Sequence, residues 1–269
     1  MSSMALKMRE KIIRFLLSRN IAVTPATNKE SLQEFIRTLK PYNTDKQLIR
    51  FGPDTDGGYL IPDDIEGIEA CFSPGVSKVS GFELECANRG IKVFLADASV
   101  EKLPEEHPDF VFDKKFIGAV GSGNFITIDE WVNNSVSSQN TDLILQMDIE
   151  GFEYETILSM SNTLLQRFRI IVIEFHAMHL LWSKTYFDVV SRSFEKLLQN
   201  HSIVHIHPNN LGTVVNRNGV ELPEMLEISF LRNDRIIQKH PAVTFPHKLD
   251  FRNCNKADLP LPESWYLNS

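Results

Sequence analysis

The chain has 269 residues, 42% hydrophobic and 23% charged, a balance that fits a soluble globular protein with one large α/β domain or two small ones. Its net charge of −7, from 28 basic and 35 acidic residues, argues against broad electrostatic binding to nucleic acid. Three scattered cysteines, Cys71, Cys86 and Cys254, argue against a disulfide framework or a zinc site and suit a reducing, cytoplasmic compartment.

No run approaches the roughly 20 apolar residues of a membrane span. Residues 1–45 predict two helices, 4–19 and 29–40, the second ended by Pro41, and form an N-terminal helical extension. In the first helix, Ile12-Ile13-Arg14-Phe15-Leu16-Leu17 is interrupted by an arginine and followed by no small-residue cleavage site, which argues against a signal peptide. With Lys7, Arg9, Lys11, Arg14 and Arg19 on its wet face, it reads as an amphipathic helix packed on the domain. A peripheral membrane contact or a subunit contact is the sharper reading. Residues 48–62 place two short apolar pieces around Asp56-Gly57-Gly58, a hairpin pattern. The glycines at 57 and 58, before Tyr59, would also let backbone approach a ligand.

From residue 69 the pattern alternates. Strands are predicted at 69–72, 92–96, 110–116, 143–147, 169–176, 202–207 and 227–231, and helices at 81–88, from 128, at 154–160 and at 186–200. This order predicts a doubly wound, mostly parallel sheet over residues 46–232. The remaining residues, 233–269, are rich in Pro and Asn and predict a tail wrapping the domain.

In such a sheet ligands bind beyond the carboxyl ends of the strands. The first strand runs into Ser73-Pro74-Gly75, a loop whose small residues admit a ligand, and Asp97 follows 22 residues after Gly75 at the next strand end. An acid at that distance can accept both hydroxyls of a ribose. The dinucleotide fingerprint is absent, so a phosphate-free nucleoside such as S-adenosylmethionine fits better. Three further strand ends carry Asp148 and Glu150, Glu174 and His176, and His205 and His207. Each pair is spaced i, i+2 and on a strand would share a face. Together they predict a general base for a hydroxyl, or a divalent metal site on Asp148, Glu150 and Glu174.

Thr127-Ile128-Asp129-Glu130-Trp131, then Asp142 to Glu153 with its Asp148-Ile149-Glu150-Gly151-Phe152-Glu153 close, then Ile171-Val172-Ile173-Glu174-Phe175-His176 resemble the FkbM-type methyltransferases. The likeness runs over about residues 48–232. Asp56-Gly57-Gly58-Tyr59 and Ser80-Gly81-Phe82-Glu83 resemble a branch of that family. The family's first motif, Asp/Glu-x-Gly-x-Asn-x-Gly, stands here as residues 73–80 without its glycine pattern. The resemblance implies a Rossmann-like class I methyltransferase fold, S-adenosylmethionine as methyl donor, and O-methylation of a sugar or natural product. By position, Ser73, Pro74 and Gly75 would hold the donor's methionine portion, Asp97 its ribose, and Asp148 would lie near the reacting centre.

The expected reaction is therefore methyl transfer to a hydroxyl of a small-molecule or glycan acceptor. His176 or His207 is the first choice of base, with His205 also available and Glu150 or Glu174 orienting it. A divalent metal on Asp148 and its neighbours is the other route to an activated hydroxyl. Two other classes compete: a non-catalytic nucleoside- or sugar-binding module, and a metal-dependent hydrolase built on Asp148, Glu150, His176 and His207.

Overall fold

A computed structural model describes residues 3–76 and 79–267, with residues 3–6 described by their backbone alone. Ser77 and Lys78 of the first loop lie outside the described residues. The centre is a seven-stranded sheet: β1 (Ala70–Pro74), β2 (Lys92–Ala96), β3 (Phe110–Asp113), β4 (Leu143–Met147), β5 (Phe168–Phe175), β6 (His201–Pro208) and β7 (Leu226–Arg232). In space the strands run β6-β7-β5-β4-β1-β2-β3. Neighbours from β5 to β3 are parallel, while β7 is antiparallel to both β5 and β6. The chain is thus a mixed α/β protein with a mostly parallel, Rossmann-like sheet.

Every residue of β1, β4 and β5 is buried, as continuous apolar runs require when both faces of a sheet are covered. Alternation sends the side chains to two cores. Leu143, Leu145, Ile171, Ile173 and Phe175 face one core with helices α2 (Lys29–Thr38), α4 (Ile128–Ser135), α5 (Glu153–Ser159), the short α6 (Asn162–Leu165) and α7 (Lys184–Leu198). Ile144, Ile170 and Val172 face the other, under α3 (Gly81–Asn88) and the hairpin Leu48–Phe51/Tyr59–Pro62. Three helix starts have a local cause. Asn28, Thr127 and Ser161 accept the N–H three residues on, capping α2, α4 and α6. Trp131 of the family-like segment anchors α4: it is buried, meets Phe72 edge-on at 5.0 Å, and donates its indole N–H to Asp113 at 2.8 Å.

Three expectations change. The predicted strand over 110–116 ends at Asp113, and Phe116–Ile117 leaves the main sheet to pair with Phe125–Ile126. Asp148 and Glu150 do not continue β4. The chain turns there, with φ of +55° at Glu150 and +102° at Gly151, so strand parity no longer relates the two acids. The first helix, α1 (Ser3–Leu17), is not packed on the domain: Met8, Ile12, Phe15 and Leu17 are all exposed. Among the described residues, no helix is long and apolar enough to cross a membrane.

Residues after β7 run back across the molecule. Lys239–Pro241 pairs with Tyr42–Thr44, Asp250 and Asn253 reach β6 and β7, and buried Trp265 donates to the carbonyl of Glu221 at 2.9 Å.

Candidate active site

The strand order reverses between β1 and β4, which is where an α/β sheet opens a crevice. The end of β1 is stitched to both neighbours: Asp148 N–H, after β4, donates to Pro74 O at 3.2 Å, and Gly75 N–H to Ala96 O of β2 at 3.0 Å. Gly75 has φ +91°, and a Cβ there would stand 1.6 Å from the carbonyl oxygen of Asp148. Only glycine permits that approach. Beside it lies a cleft of about 360 Å³ lined by Gly75, Asp97, Ser99, Asp148 and the apolar walls Phe116, Ile117, Phe125, Ile149 and Phe152. Asp97 closes its back, accepting from Val76 N–H at 2.9 Å, Ser99 N–H at 2.7 Å and Ser99 Oγ at 2.6 Å. A carboxylate has about four acceptor positions, so about one is left for a ribose hydroxyl rather than the two expected. Apolar walls with a few polar groups are the usual make-up of a small-molecule site.

Asp148 is the hinge between this cleft and a cluster of acids around His176. The His176 ring lies with Nε2 3.8 Å from Asp148, 3.6 Å from Glu174 and 3.6 Å from Glu150. Nδ1 is 3.1 Å from Glu153 Oε1. That Glu153 oxygen also accepts the N–H groups of Ile149 and Gly151 at 3.2 and 3.0 Å, so one wholly buried carboxylate fixes both the turn and the imidazole. The carbonyl of His176 takes hydroxyl bonds from Tyr154 at 2.7 Å and Tyr186 at 3.0 Å.

Because β7 is antiparallel, its beginning comes to the same edge, and Glu227 stands directly opposite Glu174. Like charges so placed repel. Burial, reinforced by Glu227 and Asp148 and partly offset by His176, holds the Glu174 carboxyl well above its usual range. Burial, opposed mainly by His207, lifts Glu227 to about 7. Burial, opposed by the His176 charge and aided by Glu150 and Glu153, raises Asp148 to about 7. Burial would lower His176, but Glu153, Glu174 and Asp148 outweigh it and raise it to about 9. Near neutral pH the cluster therefore holds an imidazolium beside carboxyls poised to exchange protons. One oxygen of Asp148 is buried with no hydrogen-bond partner.

The expected residues fare differently. Of Ser73, Pro74 and Gly75, only Gly75 lines the cleft. Ser73 is buried beneath it, 2.5 Å from Glu83 and 2.6 Å from Gln146 Oε1, and Pro74 is spent on the contact with Asp148. Gly58 is a packing glycine, since a Cβ there would meet Pro53 O at 2.0 Å. Tyr59 is buried, and burial together with the charges of Glu227, Asp148 and Glu174 keeps its phenol protonated. It faces the acids and does not line the cleft.

Glu150 is exposed on its turn, so Glu153 orients His176 in its place. His205 and His207 do not join His176, because β7 separates β6 from β5. His205 is buried against Asp250 at 2.8 Å, and His207 Nδ1 lies 3.8 Å from the same carboxylate. Among the described residues, two trios have ligand atoms within 4.8 Å of one another: Asp148, Glu174 and His176, and Asp56, Glu174 and Glu227. The metal set expected from sequence thus exchanges Glu150 for His176. Phe116, Phe125, Glu153 and Glu227 were missed. The Glu at the end of Asp-x-Glu-Gly-x-Glu was a visible signal for Glu153, but nothing local marks Glu227.

Residues 124–203 match the methyltransferase FkbM domain. The search of curated proteins found no match. Similar solved structures include a fibrillarin/Nop5p complex, at 14% identity over 62% of this chain and 74% of that one with a TM-score of 0.38. An rRNA methylase from Streptococcus thermophilus has 9% identity over 75% and 94%, with a TM-score of 0.33. A Streptococcus mutans protein solved in complex with SAH has 8% identity over 77% and 98%, with a TM-score of 0.31. The matched segment spans Trp131, the Asp148–Glu153 turn, Glu174 and His176, and over it the chain is similar to the FkbM methyltransferases.

Proposed function

We propose that the protein transfers the methyl group of S-adenosylmethionine to a hydroxyl of a sugar or glycoconjugate. The observation that carries this reading is the position of Asp148, which lines the apolar cleft and touches the acid–histidine cluster at once. A donor in the cleft and a hydroxyl at the cluster would meet across it. The acceptor side supports a polyhydroxyl ligand: Asp148, Glu174 and Glu227 are hydrogen-bond acceptors when ionised, as clustered hydroxyl donors require.

The donor supplies a methyl group already activated on a sulfonium, so positioning does much of the work. Phe116, Ile117 and Phe125 offer apolar walls to an adenine, and Asp97 offers its remaining acceptor position to the ribose. The acceptor oxygen forms the new bond to the methyl carbon as the carbon–sulfur bond breaks, and its proton must leave. Asp148 Oδ1, which has no hydrogen-bond partner and lies 3.8 Å from His176 Nε2 on a carboxyl that titrates near 7, is the group assigned to take it. His176, held as an imidazolium by Glu153, partly offsets the burial that raises the Asp148 and Glu174 carboxyls. This shifts the base from histidine, the first choice on sequence, to its carboxylate neighbour.

A divalent cation is the second reading, favoured by the mixed trio of Asp148, Glu174 and His176 and by the buried oxygen of Asp148 that has no hydrogen-bond partner. That oxygen-rich set fits such an ion, and a cation there would lower the pKa of a bound hydroxyl.

The test is calorimetric titration with S-adenosylhomocysteine, with and without EDTA, followed by label transfer from S-adenosylmethionine to a panel of sugars. Micromolar binding and sugar labelling support the proposal, and a loss of labelling with EDTA adds the cation. Absence of donor binding by folded protein would overturn it in favour of a binding module or a hydrolase.

A further inference from the structure

Helix α1 takes no part in the site. Among the described residues, the chain that follows it first meets the body where Thr24 and Ala26 reach Ser183 and Thr27 N–H donates to Trp182 O. Between residues 7 and 26 only Ile13 and Leu16 are partly covered. Met8, Ile12 and Phe15 recur at i, i+4 and i+7 and form one stripe, exposed by 59%, 53% and 59%. Leu17, Ile21 and Val23 prolong the apolar exposure. Lys7, Lys11 and Arg14 repeat the spacing one residue earlier and so edge the stripe, while Arg9 lies on its other side. The guanidinium of Arg19 lies over the Phe15 ring, 5.4 Å from its centre.

Charge separates this segment from the rest. Lys7, Arg9, Lys11, Arg14 and Arg19 against Glu10 give +4 in a chain whose net charge is −7, leaving −11 elsewhere. We infer that α1 lies in the surface of an anionic lipid bilayer, with the Met8–Ile12–Phe15 stripe in the acyl boundary and the flanking bases at the headgroups. An acidic body is repelled by such a surface, so this helix must supply the attachment. Basic side chains on both sides of an apolar stripe suit headgroups above acyl chains, because long bases can cover apolar surface while keeping their charge in water. A nucleic acid would engage the bases and leave the stripe wet.

The experiment is co-sedimentation of the full chain with phosphatidylcholine vesicles, with and without phosphatidylserine. Binding is expected to be at least about tenfold stronger with phosphatidylserine and to weaken with salt, since a basic residue near an anionic surface contributes about fivefold. Phe15→Glu should cost about tenfold or more, and Lys7→Gln with Lys11→Gln should remove most of the phosphatidylserine preference. In each variant the circular dichroism and melting temperature should be unchanged, because these side chains are exposed. Three results would overturn the inference: no sedimentation of folded protein with phosphatidylserine vesicles; a dimer by light scattering that Phe15→Glu dissociates, which would make the face an interface between copies; or tight binding of an RNA oligonucleotide unaffected by Phe15→Glu. None of these depends on methyl transfer.

Discussion

The ends of β5 and β6 carry the same kind of residues at the same edge of the sheet, yet they have opposite fates. At the end of β5, His176 opens toward Asp148 and the cleft, and its charge is balanced by four carboxylates, one of them wholly buried. At the end of β6, His205 and His207 both turn to Asp250, a residue of the tail. The His205–Asp250 pair is buried and stacked against Phe245. A histidine at a strand end is therefore open to chemistry only if no later segment covers it. β5 lies inside the sheet and keeps its polar end facing the crevice, whereas β6 is the edge strand, and the tail uses its polar end as an anchor.

The largest expected effect that would sharpen this contrast lies at β5. Asp148→Asn keeps the shape and removes the proposed base, so turnover should fall about 10³-fold while S-adenosylhomocysteine affinity changes only severalfold. Near-normal turnover would break the assignment. Glu153→Gln should lower turnover by about 10- to 100-fold and destabilise the fold by about 1–3 kcal/mol, because it alters a buried acceptor shared by Ile149, Gly151 and His176. Single-turnover kinetics together with urea titration would separate the two losses.

At the β6 end the balance should reverse. His205→Ala breaks a buried pair and should cost about 3–5 kcal/mol of stability, with turnover of the folded enzyme within about threefold of the parent. A collapse in turnover at unchanged stability would give β6 a catalytic part.

The pH profile makes a finer distinction. With Asp148 as base, turnover should rise as pH passes about 7 and decline above about 9, where His176 loses its proton. A rise through 9 would return the base to His176. The same shifts carry a stability signature. The folded pKa of Asp148 lies above its unfolded value, so its contribution is complete below about 4 and is lost as pH rises through about 7. Asp148→Asn should flatten that decline in chemical denaturation.

Much of the fold was legible because apolar runs and their stops are local. The strands 92–96 and 143–147 and the helix 81–88 appear at the expected bounds, and the two apolar pieces of the hairpin pair, joined by a loop over 52–58 longer than the Asp-Gly-Gly turn expected. The site was legible in part. Gly75, Asp97 and Asp148 line the cleft, and Glu174 and His176 meet Asp148 beside it, since strand ends in a parallel sheet share one edge. Ser73 and Gly58 were misread because a small residue in a loop is equally suited to a ligand and to close packing, and only the neighbours, Gln146 and Pro53, distinguish the two. The paired spacing of Asp148 and Glu150 misled because strand parity ends where the backbone turns left-handed.

By itself the sequence determined the alternation of elements and the acids at the strand ends, for these depend on side-chain type and short-range periodicity. Only the tertiary structure decided which of those acids act together. The antiparallel insertion of β7 between β5 and β6 brought Glu227 opposite Glu174 and moved His205 and His207 away, and the returning tail supplied them with Asp250. Strand order and the path of a tail arise from burying surfaces far apart in the chain, and no local pattern encodes which distant partner a buried charge will meet.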